Sequence, residues 1–354
     1  MYWYYLMNGL VFFGVPLSFE KNERLRHYVQ MLFFPSVLII LTIFVGFRFS
    51  SPDYDNYSAW FDSVASGNWF AQGFANDPAF VLISYFVSAL RISFIGVAIL
   101  FAAAALTSQF YFSKIASGQK WVTLLFYLIF CRTFAGSDMA SIRSAVAIPL
   151  MSIAILLAFR GRRKIALLMY IVAIAFHVSV LIGMIPFILA MLNLHFHSRW
   201  WILSFAPAAL LARIFLGPVL LLLTHANRAS IYAVSLIIAG TDPPRLYVAY
   251  IAVRILFLAL ITLLIWNRLT FESRLVLHCY TIGIMIQIIF ISNNAVSWRG
   301  SDIFGLFDLV ALMIPLKYLK GSFCLLYTAG LVVFQLASFQ YGLKDLEPYR
   351  WILA

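Results

Sequence analysis

The sequence predicts an all-α polytopic membrane protein with about twelve membrane-spanning helices plus one re-entrant or interfacial helix. Three observations carry this. Apolar residues make up 64% of the 354-residue chain and charged residues only 11%, too little polar surface to coat a soluble globule of this size. Apolar runs of spanning length recur from end to end. The joints between them are short, so no sizeable extramembrane domain fits, and 1–354 reads as a single transmembrane domain.

The basic residues thread these runs through the bilayer. Loops at Lys21 to Arg26, Lys114 to Lys120, Arg160 to Lys164, Arg199, Arg268 to Arg274 and Lys317 to Lys320 are placed on the cytoplasmic side. The path then has helices over 2–18, 29–47, 93–112, 121–136, 142–159, 165–176, 178–193, 200–222, 246–266, 275–292, 303–319 and 323–340, with both termini outside. Met1 to Leu10 has no Lys or Arg before its apolar run and no clear cleavage site after it, so it reads as a retained helix rather than a signal peptide. Pro78 to Leu90 is apolar but too short to cross, and is read as the re-entrant or interfacial helix. The run from Ile165 to Asn193 must leave and return between two basic loops, which puts His177 at the tip of a short hairpin, below the outer surface.

The net charge of +12 favours anionic lipid over nucleic acid in such a chain. Cys131, Cys279 and Cys324 lie in separate apolar stretches without metal-ligand or disulfide spacing, and are assigned to packing. The outer loops 48–77 and 224–245 are expected to contribute to an active site. The first mixes Asp53, Tyr54, Asp55, Tyr57, Trp60, Asp62 and Asp77 as sugar-handling surfaces do, although an amphipathic interfacial helix would use the same aromatics. Tyr54, Tyr57 and Asp77 are its candidate substrate-binding residues.

Lysine and arginine divide differently across this topology. Six of the seven lysines are cytoplasmic, whereas Arg48, Arg91, Arg132, Arg143, Arg213, Arg228, Arg245, Arg254, Arg299 and Arg350 are not. Arg213 and Arg254 each lie about 13 Å inside a spanning helix at 1.5 Å per residue, where an unpaired charge costs several kcal/mol. Such an arginine either pairs for structure or serves a ligand. A guanidinium fork matches phosphate oxygens bidentately and stays charged, so the implied ligand is a phosphate or pyrophosphate reached from the outer leaflet. Arg143, Arg299, Arg48 and Arg132 are the candidate pyrophosphate-binding residues, and Arg254 is a candidate substrate contact.

Four segments in order resemble the EpsG-like branch of the Wzy-type bacterial polysaccharide polymerases of O-antigen and exopolysaccharide synthesis. They are Gly46-Phe47-Arg48-Phe49 with Asp53-Tyr54-Asp55-Asn56-Tyr57; Ser141-Ile142-Arg143-Ser144-Ala145; Ala175-Phe176-His177-Val178-Ser179; and Trp298-Arg299. At Asn76-Asp77-Pro78 family members commonly show Glu-Pro-Gly, so the carboxylate here falls on Asp77. The resemblance implies a GT-C-like membrane fold and undecaprenyl-diphosphate-linked glycans as donor and acceptor, with no nucleotide sugar. It also implies a multi-pass protein of the bacterial inner membrane whose active site faces the periplasm or exterior, and leaves a chain-length regulator protein open as a partner.

Glycosyl transfer from a diphosphate needs its leaving group stabilised, which positioned arginines can do electrostatically. It also needs a base for the acceptor hydroxyl, and the catalytic candidates are His177 and Asp53, His177 as base with Asp53 orienting it or the acceptor sugar. Asp53-Tyr54-Asp55 matches the DxD pattern that can hold a metal, but no metal or other cofactor is expected to be required. No P-loop, dinucleotide-binding glycine pattern or zinc-protease helix is visible. A lipid-linked glycosyltransferase of another kind, an O-antigen ligase and a polysaccharide-lipid flippase are the competing readings. A flippase would more often show paired repeats and helices broken at the midplane.

Overall fold

In the computed structural model the described residues are 2–48, 53–68, 77–134, 138–139, 141–193, 199–224, 245–291 and 294–343. They form fourteen α-helices joined by 3-10 turns, with no strand among them. Several of these helices are long and apolar enough to mark a membrane-embedded protein: Glu23–Gly46, Phe94–Thr133, Ile142–Phe159, Tyr247–Arg268 and Gly321–Tyr341. By packing, the chain divides into two compact units, Met1–Ile182 with Leu316–Ala354, and Gly183–Pro315.

The first unit contains α1 (Tyr2–Phe12), α2 (Glu23–Gly46), α3 (Tyr54–Ala65), α4 (Pro78–Ala89), α5 (Phe94–Thr133), α6 (Ile142–Phe159) and α7 (Arg163–Phe176). Its α6 is the centre: Ile142, Ala145, Val146, Met151, Ile153, Ala154, Ile155 and Leu156 are buried around its whole circumference. A helix apolar on every side belongs inside a larger assembly of helices. By contrast α2 leaves Ile39, Ile40 and Ile43 exposed on one face, as a lipid-facing helix does.

A straight α5 would be about 60 Å long, twice the thickness of the hydrocarbon core. It is not straight. Gly118 has φ +71 and ψ 177, a conformation open essentially to glycine alone, and the chain reverses there. The rings of Phe110 and Phe126, one from each arm, are 6.2 Å apart, and Phe34 of α2 packs on both at 4.2 and 5.8 Å. These arms correspond to the expected spans 93–112 and 121–136, with Lys114 and Lys120 at the bend.

The start of α2 differs from expectation for an identifiable reason. α2 starts at Glu23 rather than near residue 29, because Asn22 caps it: its side-chain oxygen accepts from the Arg24 and Leu25 N–H groups at 3.1 and 3.2 Å. The basic residues Arg24 and Arg26 therefore sit in the first turn of the helix and not in a loop. α4 has only twelve residues, about 18 Å, and ends before Arg91, whose φ of 60 breaks the helix.

The second unit contains α8 (Met184–Met191), α9 (Arg199–Thr224), α10 (Arg245–Ile265), α11 (Phe271–Ile289), α12 (Asn294–Asp302) and α13 (Gly305–Met313). α11 is its buried hub, capped by Thr270, whose hydroxyl accepts from the Ser273 N–H at 3.2 Å. The single helix expected over 303–319 is instead α13 followed by the 3-10 turn Ile314–Lys317, because Pro315 supplies no N–H to continue an α-helix. α14 (Gly321–Gly342) returns the chain to the first unit. The loop expected over 224–245 lies, but for its two end residues, outside the described residues.

Candidate functional site

The site is built on an amphipathic helix pair. In α3 the buried residues Tyr57, Trp60, Phe61 and Val64 recur with helical spacing, and α4 answers with Phe80, Val81, Ser84 and Val87. Trp60 stacks on Phe80 at 4.4 Å, and Phe80 packs on Phe101 of α5 at 5.8 Å. Phe101 in turn meets Phe176, the last residue of α7, at 5.3 Å. This aromatic floor fixes the ends of α4, α6 and α7 close together.

Asp77 precedes α4 in the capping position, and its backbone carbonyl accepts from the Phe80 N–H at 3.1 Å. Its side chain makes no cap bond and turns elsewhere. Oδ2 pairs with Nη1 of Arg143, in the first turn of α6. Oδ1 lies 3.1 Å from Nδ1 of His177, at the end of α7. The carboxylate is almost fully buried, while about a quarter of the Arg143 and His177 side chains remains exposed.

An ionised carboxylate only accepts, so a neutral His177 carries its proton on Nδ1 and leaves Nε2 as a lone pair. Arg143 is held from three further directions. Its Nε donates to the Tyr57 hydroxyl at 3.3 Å, and its guanidinium carbon is 5.1 Å from the ring centres of both Tyr57 and Trp60. Burial pushes the Tyr57 phenol above its ordinary pKa against the opposing pull of Arg143, so it stays protonated at neutral pH. With Nη1 on Asp77 and Nε on Tyr57, Nη2 of Arg143 makes no hydrogen bond among the described residues.

The other candidate residues fall in different places. Asp53 flanks the start of α3, close enough to Tyr57 to act on it electrostatically, and Tyr54 packs edge-on against Phe94 at 5.2 Å. Asp53 and Asp55 are two residues apart at a helix start, a spacing at which side chains do not face one another. Arg48 is only 3% exposed; Nη1 donates to the Asp138 backbone carbonyl and to the Met139 sulfur, the latter at 3.4 Å. Arg132 is half-buried in the last turn of α5.

In the second unit, Arg254 pairs with Asp308 at 2.7 Å and donates to Gln287 and Ser301 at 2.6 and 2.9 Å. Arg299 is exposed on α12. Sequence reasoning had no view of Asp138 or Asp308. For Asp308 the available signal was a carboxylate within an apolar run, which must find a cation or a set of donors. Asp77, expected as a substrate contact, is the group that joins Arg143 to His177.

No curated protein matches this chain, and no solved structure does. The model of the EpsG family matches residues 31–352, nearly the whole length. With apolar helices of spanning length and a match of that extent, the chain belongs to the EpsG family, a membership that suggests a polysaccharide polymerase of glycosyltransferase type.

Proposed function

We propose that the protein polymerises polyprenyl-diphosphate-linked oligosaccharide repeat units, moving the growing glycan from its lipid diphosphate onto the acceptor sugar of a new lipid-linked unit. The observation that carries this reading is Asp77 held between Arg143 and His177, which puts an oriented base and an anion-binding edge on one carboxylate. Nε2 of His177 takes the proton of the acceptor hydroxyl. The freed oxygen bonds to the anomeric carbon of the donor, and the bond from that carbon to the diphosphate oxygen breaks. The diphosphate leaves with the electron pair, and its growing charge meets the Nη2 edge of Arg143. Asp77 fixes the imidazole tautomer and balances the imidazolium; Tyr57 and Trp60 keep the guanidinium in place.

Arg132 serves as a further diphosphate contact in this reading, and Arg48 holds the turn before α6. Tyr54 and Asp53 line the acceptor side, and Arg254 supports α12. The protein works in the bacterial cytoplasmic membrane with this site facing outward.

The test is polymerisation of purified lipid-linked repeat units, with substrate binding measured separately. His177→Ala should bind substrate and form no polymer, and Asp53→Asn should retain polymer. Normal turnover by His177→Ala, with none by Asp53→Asn, makes Asp53 the base and overturns the assignment.

A further inference from the structure

α12 carries an exposed face that is held rigidly from behind. Ser297 and Ser301, one helical turn apart, tie it down along one side. The Ser297 hydroxyl donates to the Gln287 carbonyl at 3.0 Å, so the Tyr247 hydroxyl, 2.6 Å away, donates to Ser297. Ser301 accepts from Arg254, which Asp308 and Gln287 hold in turn. Two glycines permit the close approach. A Cβ on Gly300 would sit 2.8 Å from Ile286 Cγ2, and one on Gly283 would sit 3.3 Å from Phe304 Cβ.

With its rotation set this way, α12 presents Trp298 and Arg299 outward. Trp298 is 43% exposed although its ring packs against Tyr250 at 5.8 Å and Tyr247 at 6.0 Å. A braced, half-open indole is followed in the chain by an exposed guanidinium, and the two groups suit the two parts of a composite ligand. A pyranose ring has an apolar C–H face that lies flat on an aromatic ring, and an attached diphosphate offers oxygens to the guanidinium fork.

We propose that Trp298, braced by Tyr250, and Arg299 form a binding face for the sugar-diphosphate junction of a polyprenyl-linked glycan, with Trp298 under the sugar and Arg299 on the diphosphate. This rests on the polymerase reading above. Such an enzyme handles two lipid-linked molecules, each with its own diphosphate, and this face serves one of them. Interfacial tryptophans also seat phospholipid headgroups, and the test separates the two ligands.

The probes are farnesyl diphosphate and farnesyl diphosphate bearing one glucosyl residue, titrated onto the purified full chain. Trp298→Ala should weaken the glucosylated probe roughly tenfold and change the bare probe by less than about twofold. Trp298→Phe keeps a ring in place and should retain most of the affinity, while Arg299→Ala should weaken both probes. Equal loss on both probes from Trp298→Ala, or loss on neither, overturns the sugar platform and leaves the polymerase reading standing. Failure of the unaltered protein to bind either probe overturns both.

Discussion

Nδ1 of His177 and Oδ1 of Asp77 lie 3.1 Å apart across 100 residues of chain, joining the end of α7 to the start of α4. The same carboxylate holds Arg143, so the base and the cation of the proposed reaction share one anchor. Asp77→Asn keeps the shape but removes the charge that selects the tautomer. It should lower turnover by about a hundredfold or more with substrate affinity largely kept. In the purified assay, turnover at the parent's level by Asp77→Asn would show that neither His177 nor Arg143 depends on this carboxylate.

Arg143→Lys keeps the charge and loses the bond to Tyr57, the planar contact with two rings and the fork. Polymer yield at matched expression should fall at least about tenfold. Tyr57→Phe removes one hydroxyl acceptor and should cost about 1 kcal/mol, read as a several-fold loss of turnover. A lysine variant as active as the parent would reduce Arg143 to a charge requirement.

Gly118→Ala places a Cβ on a backbone that only glycine adopts readily, although no neighbouring atom lies within 4 Å. The cost is conformational, about 1–3 kcal/mol. Thermal unfolding in detergent should show a lower Tm for Gly118→Ala and little change for Gly9→Ala, a glycine also open to space but not forced to positive φ.

Burial pushes the Asp138 carboxyl up to about 6, against the pull of Gln109, Thr133 and Arg48. The folded state therefore binds this proton more tightly than the unfolded state does. The resulting stability, up to about 3 kcal/mol, is complete below the ordinary carboxylate range and is lost as pH rises through about 6. Melting curves at about pH 5 and about pH 7.5 should differ more for the parent than for Asp138→Asn.

Arg254 and Asp308 are buried together, so removing either strands the other. Arg254→Ala or Asp308→Ala should each destabilise the protein by about 3–5 kcal/mol. Arg254→Met with Asp308→Leu should recover much of that loss in the same thermal assay, because no charge is then left alone.

What the sequence made legible follows from how local each cause is. α6 begins and ends where the apolar run does, at Ile142 and Phe159, because Gly161 with φ +78 and a basic cluster close it. That α7 ends just before His177 could be read from the length of the apolar run alone. α2 began earlier than its hydropathy suggested because one capping asparagine outweighed a polar first turn. The partnership of Asp77 with Arg143 and His177 was invisible, since it spans 66 and 100 residues and depends on how α3 and α4 pack. Arg48 looked like an anion ligand by type and neighbourhood. Its burial against Asp138 and Met139 could not be read from the sequence.

The reversal at Gly118 also bears on how the chain is made. Gln109 on the first arm and Thr133 on the second both donate to Asp138, at 2.7 and 3.1 Å. Neither arm alone offers these polar groups a full set of partners in lipid. Synthesis at roughly 5–20 residues per second delivers the two arms within seconds of each other. A hairpin that inserts as a pair would turn these polar groups toward each other before the rest of the protein exists to shelter them.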